Sequence, residues 1–230
     1  MVDFRMRGYQ QTPPVIKNLI IINVLFWVSE LTFGEWFINM FSLHYYQSPN
    51  FGIWQLITHM FLHDPSGLGH ILMNMLILWI FGSTLEDVWG SKRFLIFYML
   101  CGLGAAIVLL GAYTIELNLL LNKVNNGTMS QEEFLNKGAM IVHSISMGAS
   151  GAINGVMAAF AYLFPNAPYP LFFFPIQTKY VVVFYFLLDL FGGINPKYGD
   201  NVGHFAHVGG AIVGLILVIT MNKSNRRTFY

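Results

Sequence analysis

The sequence predicts an all-α membrane protein, a bundle of six helices that each cross the bilayer. Three observations predict it. The 230 residues are 55% hydrophobic with a mean hydropathy of +0.56, only 10% are charged, and apolar runs of spanning length recur six times. A soluble chain of this size needs far more charge to cover its surface. The formal net charge of +1 carries no nucleic-acid signal. The single cysteine, Cys101, sits inside an apolar run, which excludes a disulfide framework and a cysteine-rich metal site.

The first run, about 15–34, lacks a small-residue cleavage site before the next loop and reads as a retained anchor. The segment 35–69 that follows carries Trp36, Phe37, Phe41, Tyr45, Tyr46, Phe51, Trp54 and Phe61, which suggests a loop lying in the interfacial zone, where amphipathic rings are favoured. The second and third runs fall at about 69–85 and 93–115. The stretch 116–137 is the most polar of the chain, with room for a short amphipathic helix. The fourth run, about 149–165, is short: 16 residues from Ala149 to Phe164 make about 24 Å of helix against a hydrocarbon core of about 30 Å. Pro165, Pro168, Pro170 and Pro175 forbid a long helix before the fifth run, about 178–195. The sixth run is about 203–221.

Six crossings put both termini on one side. With the termini inside, nine of the Lys and Arg residues lie inside and three, Lys123, Lys137 and Lys197, outside, so both termini are expected in the cytoplasm. The chain therefore divides into a cytoplasmic segment 1–14, one membrane domain 15–221 and a cytoplasmic tail 222–230.

Polar residues within the spans are costly and mark functional candidates. His70 and Asn74 are four residues apart, on one face near the outer end of the second run. His204 and His207 stand near the outer end of the sixth, and Ser150, between Gly148 and Gly151, begins the short fourth. Read alone, the serine and its glycines are a close-packing seam. Read together, a serine, a histidine able to take its proton, and nearby N–H donors are the parts of nucleophilic acyl transfer. Ala206, Gly209, Gly210 and Gly214 on the sixth run, and Gly151, Gly155 and Ala158 on the fourth, let those backbones approach closely and bring His207 to Ser150. The short fourth helix would set Ser150 below the outer membrane surface, where non-helical backbone must line a wet cavity.

These residues resemble the motifs of the rhomboid intramembrane serine proteases. His70-Ile-Leu-Met-Asn74 is similar to the family's HxxxN, Gly148-Ala-Ser-Gly151 to its GxSG, and Ala206-His-Val-Gly-Gly-Ala-Ile-Val-Gly214 to its histidine and glycine pattern; Glu86, Gly90, Arg93 and Tyr98 also fit. The resemblance implies a six-helix rhomboid-like bundle with Ser150 as nucleophile and His207 as its base. It further implies an oxyanion hole formed by His70, Asn74 and the Ser150 backbone N–H. Two positions depart from the pattern. Asn154 stands where many members carry an aromatic ring against the catalytic histidine, and its amide is expected to hydrogen-bond the His207 ring. Gln55 stands where the family's Trp-Arg pair has its arginine, which leaves the anchoring of the first outer loop without its usual residue.

Seven histidines raise the question of a metal, but an intramembrane zinc protease needs a segment such as HExxH, and the sequence has none. A transporter predicts inverted repeats and paired broken helices, which the sequence does not show. The expected activity is peptide-bond hydrolysis within or next to a transmembrane segment, with local unwinding of the substrate helix. The expected partners are transmembrane protein substrates and membrane lipid, with no nucleic acid, metal or cofactor. Lateral access is expected past the fifth helix and the loop 195–202, with Gly192, Gly193, Pro196 and Gly199 as its mobile points. The expected location is a bacterial plasma membrane.

Overall fold

The computed structural model describes residues 11–171, 174–194 and 201–224. Expectations for residues 1–10, for 195–200 of the access loop and for 225–230 of the tail lie outside these described residues.

Helix α1 (Pro14–Phe33) opens with a proline, whose missing N–H costs nothing in the first turn, and closes at Gly34, whose φ of +60° suits a residue without Cβ. The aromatic segment after it is less loop-like than expected. Glu35-Trp-Phe-Ile-Asn-Met-Phe41 contains no helix breaker and forms α2 (Glu35–Phe41), with Phe37 and Phe41 edge-on to Phe26 of α1 at ring-centroid distances of 5.6 and 5.9 Å. A two-residue strand β1 (Leu43–His44), a short helix α3 (Gln55–Thr58) and a 3₁₀ turn (His59–Phe61) complete the segment. Gln55 is fully buried and does the anchoring that its replacement of arginine had left open. Its amide donates to the carbonyls of Asn50 at 2.9 Å and Met40 at 3.4 Å, and its own carbonyl accepts from the His44 N–H at 3.2 Å.

Next come α4 (Leu68–Ile77) and α5 (Ser83–Trp89), joined without a break by a π-helical turn, Leu78–Gly82. Gly90, at φ +81°, turns the chain into α6 (Ser91–Asn125). At this turn the buried Glu86 carboxylate accepts from the free N–H groups of Val15 and Ile16 at 2.9 and 2.8 Å and from the Ser91 hydroxyl at 2.6 Å. It thereby caps α1 from a neighbouring helix. The 35 residues of α6 make about 52 Å of helix, well beyond a hydrocarbon core of about 30 Å. The polar stretch expected as a loop is therefore partly the end of α6, because Glu116 to Asn125 is rich in helix formers. The short amphipathic helix follows as α7 (Gln131–His143), capped by Ser130 accepting the Glu133 N–H at 3.1 Å.

Strand β2 (Ile145–Ser146) pairs antiparallel with β1, Leu43 opposite Ser146 and His44 opposite Ile145. Then come α8 (Ser150–Leu163), a hairpin of β3 (Pro168–Leu171) and β4 (Phe174–Gln177) where the prolines exclude a helix, α9 (Thr178–Ile194) and α10 (Asn201–Ser224).

Four helical stretches, Pro14–Phe33, Leu68–Trp89, Ser91–Asn125 and Gly203–Asn222, are long and apolar enough to cross a membrane. Large apolar side chains such as Leu25, Leu72, Ile107 and Phe184 stand exposed on the bundle's outside, as a lipid-facing surface requires. Helix α10 packs between α6 and α8, and glycines bring the backbones together. A Cβ added at Gly214 would lie 2.5 Å from the Cα of Gly155, and one at Gly155 would lie 2.5 Å from Cys101 Sγ of α6. The contacts of His207 with Ser150 and Asp189, and the cavity they share with His70, bring the starts of α4, α8 and α10 and the end of α9 to one end of the bundle.

Candidate active site

Ser150 is the first residue of α8, so its N–H and those of the next turn have no partner within the helix. The loop before it is held from two sides. The β1–β2 pair ties Ser146 to Leu43, and the Gly148 N–H donates to the His59 carbonyl at 2.9 Å. Gly148 has φ +137°, a conformation that disfavours any side chain. A Cβ there would also stand 3.4 Å from Ser150 Oγ and 3.6 Å from His70 Cε1, filling the gap between the two.

His207 lies in the second turn of α10, and its Nε2 is 2.8 Å from Ser150 Oγ. Its other nitrogen, Nδ1, is 3.0 Å from Asp189 Oδ1 on α9. A carboxylate only accepts, so Nδ1 carries the proton and Nε2 presents its lone pair to the serine hydroxyl. His70, in the first turn of α4, accepts the Asp64 N–H on Nδ1 at 3.3 Å. In the neutral ring this leaves the proton on Nε2, on the side facing Gly148 and Ser150.

These groups share a cavity of about 280 Å³, whose lining includes Ser150, His207, His70, His204, Gly148 and His59. Asn74 is buried on the same helix as His70 but stays outside the cavity lining, and its amide nitrogen donates to the His70 carbonyl at 3.0 Å. The expectation for Asn154 needs correction. Its amide donates to the Ser150 carbonyl one turn back at 3.0 Å, while the two nitrogens of His207 are engaged by Asp189 and Ser150. Asn154 is thus a local helix contact; the i to i+4 spacing on α8 favours that bond over one across the bundle.

Sequence reasoning passed over two residues of this region. His59 lines the cavity and holds Gly148 through its carbonyl. Asp189 is the other, and the signal that sets it apart is an acid within the otherwise apolar run Val181 to Phe191. His204 donates from Nδ1 to the same Asp189 oxygen at 2.9 Å.

His59 and His63, in the segment between α1 and α4, are both buried, and burial pushes each down to about 4 from the ordinary 6.5; the nearby charge of His70 adds to the effect at His63. Both are neutral in the folded protein at pH 7. Between pH 6.5 and about 4 the unfolded chain binds protons that the folded one does not, so stability is full above 6.5 and is lost as the pH falls through that window. The loss is on the order of 3 kcal/mol per histidine. Thermal unfolding in detergent is expected at markedly lower temperature at pH 4.5 than at 7.5, with a shallower decline in His59→Gln. An equal decline in that variant would show that His59 does not contribute.

A family model described as the rhomboid domain matches residues 50–224. The chain is 27% identical over 220 residues to "RHOMBOID-like protein 12, mitochondrial" of Arabidopsis thaliana, an alignment covering 93% of this chain and 60% of that protein. It is 29% identical over 148 residues to "Rhomboid protein 1, mitochondrial" of Saccharomyces cerevisiae, covering 64% of this chain and 36% of the relative. Over 221 residues it is 27% identical to "Rhomboid protease AarA" of Providencia stuartii, covering 88% of this chain and 70% of that one. The chain thus spans 60% or less of the two mitochondrial relatives' own length.

Proposed function

The chain belongs to the rhomboid family, and from that premise we propose that it is an intramembrane serine endopeptidase hydrolysing peptide bonds in or next to transmembrane segments of membrane-protein substrates. The observation that carries the proposal is the 2.8 Å contact between His207 Nε2 and Ser150 Oγ in the wall of a cavity.

In the proposed mechanism His207 accepts the Ser150 proton as Oγ attacks the scissile carbonyl. The oxyanion receives hydrogen bonds from the Ser150 backbone N–H, His70 Nε2–H and Asn74, whose second amide hydrogen is not used by the His70 carbonyl. As the tetrahedral intermediate collapses, His207 passes its proton to the leaving amine. Water in the cavity, activated by His207 in the same way, then hydrolyses the acyl enzyme and restores Ser150. The mechanism calls on no metal or cofactor.

The reading includes six crossings, with α8 and α9 joining the four longer spans. Helix α8 has 14 residues, about 21 Å, so a crossing through it leaves Ser150 beneath one membrane surface. With six crossings, nine of the twelve Lys and Arg residues fall in segments on the side of the termini, which supports cytoplasmic flanks 1–14 and 222–230 around a membrane domain 15–221. A bacterial plasma membrane is the proposed location; the similar proteins come from both mitochondria and bacteria, as their names and sources state.

The test is cleavage of a single-pass reporter, with helix-weakening residues in its membrane segment, by the full chain in liposomes. Cleavage within or beside the membrane segment is expected for wild type, and a fall of at least about 10³-fold for His207→Ala. Undiminished turnover by His207→Ala would overturn the assignment.

A further inference from the structure

We propose that Asp189 is a positioning residue for His207, so that the site works as a Ser150–His207–Asp189 relay assembled from α8, α10 and α9. The inference rests on the proteolytic reading and deepens it.

Asp189 is the sole carboxylate of α9, in a run whose neighbours are Val, Phe, Tyr and Leu. A lone carboxylate at such a place is costly unless it is paired. Its side chain is 16% exposed, and a single oxygen, Oδ1, meets both His204 Nδ1 at 2.9 Å and His207 Nδ1 at 3.0 Å. The close approach of α9 to α10 is built in. A Cβ on Gly192 would lie 2.6 Å from the His204 ring, and one on Gly193 would lie 3.1 Å from the Phe205 ring, so glycines at both positions admit the docking that brings Asp189 to the histidines.

The consequence for chemistry follows from the tautomer. Nδ1–H donated to Asp189 leaves the Nε2 lone pair on Ser150 Oγ, the one arrangement in which His207 can take the hydroxyl proton. When that proton arrives, the imidazolium has an anion 3.0 Å from its other nitrogen. The groups around the ring are Asp189 from α9, Ser150 from α8, His204 from its own helix and His70 across the cavity on α4. Of these the carboxylate alone both accepts the Nδ1 proton and opposes the developing charge. Asp189→Asn keeps the shape but can donate to Nδ1, which moves the ring proton to Nε2 and removes the base.

The experiment combines kinetics with ¹⁵N-histidine NMR on the full-length protein in detergent. For Asp189→Asn we expect a fall in kcat of about 10²-fold or more with KM within about threefold. In a His207→Ala background the same substitution is expected to add no further loss, since it acts through the missing ring. The ¹⁵N shifts of His207 are expected to report Nδ1–H in wild type and a shift toward Nε2–H in the variant. An unchanged kcat, a loss carried by KM, a further loss in the His207→Ala background, or an unaltered His207 tautomer would each overturn the proposal. The NMR arm does not depend on turnover. A tautomer change from wild type to Asp189→Asn, with a wild type that cleaves nothing, would keep the contact and refute the proteolytic reading instead.

Discussion

Ser150→Ala is expected to abolish labelling by a fluorophosphonate probe and to lower cleavage of a membrane substrate by at least about 10³-fold while leaving the protein folded. The chemistry requires the first result. Ser150 Oγ is the hydroxyl 2.8 Å from the imidazole nitrogen with a free lone pair, which makes it the group activated to form the phosphonyl ester. The second result follows from how α8 begins. Ala149 takes the capping position and the Ser150 side chain makes no capping bond, so removing Oγ leaves the helix start intact. A melting temperature within a few degrees of wild type is expected. Probe attachment that persists in Ser150→Ala would remove the serine from its proposed role.

Gly210→Ala is expected to cost about 3 kcal/mol or more and to lower activity at least about 100-fold, although the residue touches no substrate. A Cβ at Gly210 would overlap the carbonyl oxygen of Gly151, directly after the proposed nucleophile. Backbone cannot move aside as a flexible side chain does. Helix α8 is also held against α6, where Gly155 meets Cys101, and one turn deeper Gly214 meets Gly155. The remaining relief is separation of α10 from α8. A shift of about 1 Å would take His207 Nε2 out of hydrogen-bond range of Ser150 Oγ. Gly111→Ala on α6, where an added Cβ meets nothing within 4 Å, is the control and should be neutral or slightly stabilising. Wild-type melting and activity in Gly210→Ala would show that the seam is looser than its geometry.

Much of this was legible along the chain because hydropathy, turn residues and small-residue spacing are local properties. The helices fall close to their expected places, and the contact between Ser150 and His207 could be anticipated from glycines spaced to let two helices touch. Element ends were less legible. Nothing local marks where α6 leaves a membrane, since Glu116 to Asn125 forms helix as readily in water as in lipid. Helix α2 was read as loop because its aromatic content spoke for the interface and not for its backbone.

By itself the sequence determined the class of molecule, an apolar helical bundle, and the types of group available for chemistry. Those depend on composition and on periodicity within each segment. Tertiary structure alone decided which group each side chain meets. Asn154 had the right chemistry to hold the His207 ring, yet it bonds its own helix, and Asp189, 18 residues before His207 and on another helix, reaches the ring instead. A hydrogen bond is decided within a few tenths of an ångström, and distances between helices at that scale are set by how the backbones dock.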